Sequence, residues 1–219
     1  MPVPPFARQA GVSSWFDTGA ARLLLREERL QLAARLRARP SQPWLWLAPA
    51  PFGQVPKGLG GLCVRLHQLG GGAGYGGDIR CSLPLPVASE SVQAIVLQHV
   101  LDHRADALLR ECERVLMPGG RIWLLALNPL SPYRLRWRRH GLGARLPASW
   151  RVLANRCGLQ AVGPVQYLGP VWRNDGGRRG GRDLSLLRAA CLLEAEKRAA
   201  APIGLMPAKV QWRQPMQTT

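Results

Sequence analysis

Lysine is scarce in this chain of 219 residues. Lys57, Lys197 and Lys209 are all there are, so 27 of the 30 basic residues are arginine. Acid is scarce as well: 13 Asp and Glu leave a net charge of +17. An arginine-rich coding bias exchanges Lys for Arg but does not create an excess of base over acid. The planar guanidinium fork binds phosphate, so this balance suits a polyanion or an anionic surface. Cysteine is limited to Cys63, Cys81, Cys112, Cys157 and Cys191, an odd number without a CxxC pair. That argues against a disulfide framework or a zinc site and for a reducing compartment. No stretch approaches the roughly 18 uninterrupted apolar residues of a membrane span. The opening "MPVPPFARQAGVSSWFD" lacks the apolar run of a signal peptide, so a soluble, cytoplasmic protein is expected.

What is present is the patterning of an ordinary globular chain, with 47 % hydrophobic residues. An arm with Trp15 and Phe16 leads to Thr18, a residue suited to cap the helix "GAARLLLREERLQLAARLRAR". Leu23, Leu24, Leu30 and Leu36 recur near helical spacing there, and Pro40 ends the run. "WLWLA" at 44–48 reads as a buried strand, followed by a loop and by a second strand, "LCVRLHQL", at 62–69. "GGGAGYGGD" reads as a glycine-rich turn. A strand at 94–98, an amphipathic helix at 104–116 stopped by "MPGG", and a strand at 121–127 come next. "PASWRVLANRCGL" reads as a helix, and "QAVGPVQYL" and "LSLLRAACLLEAEKR" as two final strands with an antiparallel ending. Strands alternating with helices predict a mostly parallel sheet covered on both faces. The expected organisation is an arm and helix over 1–40, an α/β domain over 41–198 and a basic, proline-containing tail over 199–219.

Charge is unevenly spread. Between Asp78 and Arg121 there are five arginines and six acids, whereas Arg134 to Arg182 holds eleven arginines and the single acid Asp175. "YRLRWRRH" at 133–140 interleaves Tyr133 and Trp137 with arginine, as a nucleic-acid surface would. A solvated helix, a membrane-surface helix or a lid over an acidic substrate would read the same way.

Residues 78–129 carry the most specific pattern: "DIRCSLPLP", then "SESVQAIVLQHVLDH", "LLRECERVLMPGGRIWLL" and "NP". The run resembles the class I S-adenosylmethionine-dependent methyltransferases, in the subgroup acting on small molecules and quinones. More narrowly it is similar to an uncharacterised proteobacterial methyltransferase-like family. The resemblance implies a Rossmann-like, doubly wound, mostly parallel seven-stranded sheet with an antiparallel last strand. It implies S-adenosylmethionine as cofactor, bound at the carboxyl ends of the strands. It places Leu47, Ala48, Pro49 and Gly53 in the first loop, Gln68 at the ribose, Asp78 and Ile79 at the adenine, and Gln98 at the mouth. Trp46, Ala48 and Ala50 depart from the family's acid and glycines, and the second strand ends without a carboxylate.

Methyl transfer from a sulfonium is an in-line displacement in which a base is optional. His99 is the candidate base, and His103, Asn128, Tyr133 and Arg134 are candidate substrate contacts; no metal set is expected. The alternative reading of His99 and His103 is that they cap or buttress the following helix. Two functions compete. One is a methyltransferase acting on an unidentified, anionic or hydrophobic acceptor. The other is a catalytically silent protein of the same fold that binds nucleic acid or a protein through its arginines.

Overall fold

The computed structural model describes residues 15–16, 18–39, 41–49, 55, 57–69, 74–99, 105–171 and 185–198. The expected tail and most of the arm lie outside them. Seven strands form one sheet in the order β3-β2-β1-β4-β5-β7-β6. They are β1 (Trp44–Leu47), β2 (Cys63–Gln68), β3 (Tyr75–Gly77), β4 (Val92–Gln98), β5 (Leu116–Leu127), β6 (Leu159–Val171) and β7 (Arg188–Lys197). β2, β1, β4 and β5 run parallel, and β7 is antiparallel to both β5 and β6. This is the expected Rossmann-like, mostly parallel α/β sheet with an antiparallel last strand.

Two layers cover it. α1 (Gly19–Arg37) lies on one face; α2 (Ala105–Val115) and α4 (Pro147–Arg156) lie on the other, and α3 (Arg134–Arg138) is a short helix after β5. Thr18 caps α1 as its sequence predicts, its hydroxyl accepting the Ala21 N–H at 3.3 Å. Alternate strand residues point to opposite faces. Leu45, Leu47, Ile95, Leu97, Ile122 and Leu124 therefore pack with Leu108, Leu109, Cys112 and Trp150. Trp44, Trp46, Val96, Trp123 and Leu125 pack with Leu32 of α1. Each large side chain so buried contributes about 1.5–3 kcal/mol. α1 buries Ala21, Leu24, Glu28, Leu32 and Ala33, whereas Leu23 and Leu30, both expected on its apolar stripe, are 59 % and 66 % exposed. It approaches β6 so closely that a Cβ on Gly169 would lie 2.4 Å from Leu24.

Two local features differ from expectation. "MPGG" does not merely stop α2: β5 begins at Leu116, paired with Val92, and the register resumes at Arg121 opposite Ala94. The intervening residues bulge out, with Gly119 in the left-handed region at φ 73°. The "glycine-rich turn" contains β3, which is antiparallel to β2. Only six residues separate Gln68 from Tyr75, whereas a parallel return takes a dozen or more. β2 and β3 thus form a hairpin, which reverses β3. Among the described residues, β1 and β2 are joined without a helix.

Candidate active site at the carboxyl edge of the sheet

β1 and β4 pair as far as Leu47 and Leu97, so their chains leave the sheet side by side, with the end of β2 at Gln68 next to them. Trp46 and Gln98 both belong to the α1 face. Gln98 is 2 % exposed and both ends of its amide are used: Oε1 accepts the Trp46 indole N–H at 3.2 Å, and Nε2 donates to Glu28 at 2.7 Å. Glu28 comes from the middle of α1 and has no exposed surface. Burying a lone carboxylate costs several kcal/mol, so it needs close partners. The second partner is His99, the residue after Gln98. Its backbone lies at φ 50°, a region that non-glycine residues occupy at a cost of order 1–3 kcal/mol. Its Nε2 stands 3.0 Å from Glu28 Oε1 and 3.1 Å from Oε2. The Phe16 ring covers the imidazole at a centroid distance of 5.0 Å. His99 Nδ1 is buried and has no hydrogen-bond partner among the described residues.

A hydrogen-bonded chain, Trp46–Gln98–Glu28–His99, thus ties β1, β4 and α1 together at the carboxyl edge. Burial, reinforced by the Glu28 charge, pushes the nearby Cys191 thiol up to about 12, so it stays protonated and is no nucleophile. Glu28 is the member that sequence reasoning missed. Its signal was the four-residue spacing of Leu24, Glu28 and Leu32, which sets an acid in the middle of an apolar helix face.

The other expected site residues separate into groups. Leu47 is buried in the core, Ala48 is buried with its N–H donating to Leu66 O at 3.0 Å, and half-buried Pro49 continues along the edge. Gln68 stands beside them at the end of β2, half-buried. Asp78 and Ile79 are elsewhere. The hairpin carries Asp78 back along β2 to Arg65, whose backbone N–H (2.9 Å), Nε (3.2 Å) and Nη2 (2.8 Å) all donate to its carboxylate. These bonds hold the Asp78 carboxyl below the usual range. Ile79 is 38 % exposed next to it. Gly53 and His103 lie outside the described residues.

Asn128 is fully buried and works as a backbone clamp. Nδ2 donates to Leu186 O and Arg188 O at 2.7 and 2.8 Å, and Oδ1 accepts the Leu130 N–H at 3.1 Å. Tyr133 is half-buried against the cluster around Trp15, and Arg134 is exposed. Arg136, Arg138 and Arg139 are exposed too, but Trp137 between them is fully buried, edge-on to Trp15 at 5.7 Å. The aromatic ring interleaved with these arginines is therefore a core anchor and offers no face for stacking. Among the described residues no cluster of three or more His, Cys, Asp or Glu is placed to hold a metal. No described helix is long and apolar enough to cross a membrane.

Comparison with known proteins bears on the fold. Residues 71–124 match a family described as a methyltransferase domain. No curated protein matches the chain in sequence. Among solved structures, a chain from the Haloferax volcanii complex of the Trm112 methyltransferase activator with a candidate methyltransferase superposes with a TM-score of 0.55. The two are 13 % identical, over 89 % of this chain and 99 % of that one. A SAM-dependent methyltransferase from Archaeoglobus fulgidus gives 0.53 at 13 % identity, over 77 % and 94 % of the two chains. One from Thermotoga maritima gives 0.50 at 13 % identity, over 85 % and 94 %. The domain and the fold imply S-adenosylmethionine as cofactor. Residues 71–124 thus match a methyltransferase domain, and the sheet around them has the fold of the SAM-dependent methyltransferases on which it superposes.

Proposed function

We propose that this protein transfers a methyl group from S-adenosylmethionine to an acceptor held at the carboxyl edge of its sheet, with His99 receiving the acceptor's proton. The observation that carries the reading is the place of His99. It closes β4 within the matched domain, and it presents a buried nitrogen with no partner among the described residues. The residues at this edge support a place for the cofactor there. Ala48 adds only a methyl group at the end of β1, and Pro49 and Gln68 flank it. These residues would hold the cofactor, which when bound supplies an electrophilic methyl group on sulfur. Gln98 acts indirectly, since both ends of its amide are committed to Trp46 and Glu28. Arg134 and its exposed neighbours suit an anionic acceptor approaching from the β5 side.

A second reading is favoured by one observation. Asp78, the acid implied at the adenine, is engaged by Arg65 instead, and β2 ends without a carboxylate. A catalytically silent protein of the same fold, binding nucleic acid or a protein through its arginines, would tolerate both. Calorimetry with S-adenosylmethionine separates the two. Heat of binding from the folded protein is expected, and none at roughly millimolar cofactor removes the enzyme reading. Affinity for non-specific RNA that falls steeply with salt would then support the second.

A further inference from the structure

We propose that Glu28 is a positioning residue: it holds the His99 proton on Nε2 and so leaves Nδ1 to accept a proton from an acceptor hydroxyl, an inference that rests on the methyl-transfer function above. Four observations lead here. Both carboxylate oxygens of Glu28 stand at 3.0–3.1 Å from Nε2, so a neutral imidazole donates there and its lone pair falls on Nδ1. Nδ1 has no partner among the described residues. The carboxylate is itself immobilised, because Gln98 donates to it and is fixed in turn by Trp46. Last, His99 is kept in left-handed backbone geometry, a cost that cores seldom carry without return and that clusters at working sites.

The arrangement selects a chemical class of acceptor. A neutral amine attacks a methyl group with its own lone pair and needs no base at that moment. A hydroxyl is a poor nucleophile until its proton leaves. At this site the O–H proton passes to His99 Nδ1, and the oxygen pair forms the new C–O bond. The electron pair of the methyl–sulfur bond stays on sulfur, giving a neutral thioether. His99 is left as an imidazolium facing the Glu28 carboxylate. The proton is later released to water. Phe16 packs over the ring at a centroid distance of 5.0 Å. The acceptor class is therefore an alcohol, phenol or enol that is methylated on oxygen.

The test combines nitrogen NMR of His99 with transfer of label from methyl-labelled S-adenosylmethionine into a small-molecule cell extract, on wild type and Glu28→Gln. In its neutral imidazole, wild type should carry the proton on Nε2, with Nδ1 bare. Glu28→Gln should mix the tautomers and cut labelled ethers by about 100-fold or more, while cofactor affinity by calorimetry stays within about threefold. A wild-type Nδ1 that keeps its proton overturns the inference without any variant. So does a Glu28→Gln protein that transfers at the wild-type rate, or label found only on nitrogen. Wild type that binds no cofactor defeats the function proposed above, and this inference with it.

Discussion

Trp137→Ala decides what the arginine-rich helix after β5 is for. Trp137 has no exposed surface and meets Trp15 edge-on at 5.7 Å, in a cluster with Phe16, Leu24, Leu127 and Leu142. Truncating a fully buried Trp to Ala costs about 3–5 kcal/mol from lost transfer energy and the cavity left behind. Of this, the edge-to-face pair with Trp15 accounts for about 0.5–1.5 kcal/mol. At about 2–4 °C per kcal/mol for a chain of this size, Tm should fall by about 6–20 °C. The indole Nε1 has no hydrogen-bond partner among the described residues, so Trp137→Phe loses no bond, leaves a smaller void and should cost less than Trp137→Ala. Urea unfolding followed by circular dichroism measures both variants. If Trp137 were instead a stacking surface for bases, the Ala variant would keep its stability and lose about 1–3 kcal/mol of single-stranded nucleic-acid affinity. A stability loss below about 1 kcal/mol for Trp137→Ala would refute its role as the anchor of α3.

Two further outcomes follow from the ion pairs. Asp78→Ala should leave S-adenosylmethionine affinity within about twofold of wild type by calorimetry, because its carboxylate faces Arg65 on β2 and not the strand ends. A loss of about 1–3 kcal/mol would mean that β3 re-pairs when the ligand arrives. Glu111 is held below the ordinary carboxylate range, first by the Arg114 guanidinium and also by the Leu85 N–H at 2.7 Å. A carboxyl whose folded pKa is lowered stabilises fully above its unfolded value and loses that effect as pH falls through the folded one. Glu111→Gln should therefore destabilise at neutral pH and show a smaller further loss on acidification than wild type, read from urea midpoints at both. An acid-side loss equal to that of wild type would rule Glu111 out as the group responsible.

How much of this was legible in the sequence depended on how loudly each element speaks. β1, β4 and β5 contain continuous apolar runs, "WLWL", "AIVL" and "IWLLAL", and runs of that kind in an alternating α/β chain can only be buried strands. β3 is three residues long and two are glycine, so nothing in its composition marks it; loop length alone dictates its direction. For the same reason the motif located Asp78 in order along the chain but not in space. Asn128 reads as a polar turn residue either way, and only the bonds to Leu186 and Arg188, distant in sequence, show it to be a clamp. On α1, leucines occur on nearly every side of the helix, so counting them does not fix the buried face. The neighbouring sheet fixes it, and Glu28 lies on it.

That last point bears on how the site is built. In a doubly wound sheet the loops after successive strands converge on the ligand, and each supplies its own polar group. Here the β2–β3 hairpin turns Asp78 away, Trp46 occupies a position where an acid is common, and the end of β2 offers an amide. The carboxylate buried against Gln98 and His99 comes instead from a helix that precedes the whole sheet. The same helix fills the face above Trp46, Val96 and Trp123, and meets β6 at Gly169 without room for a Cβ. Packing and chemistry therefore place the same demand on α1. Its register is fixed by Leu24 against Gly169 on one side of Glu28 and by Leu32 against the tryptophans on the other. With each residue of a helix rotating about 100°, a slip of one position would carry Glu28 off the buried face and strand the polar ends of Gln98 and His99 inside the protein. The leucines that stabilise α1 are thus also what aims its carboxylate.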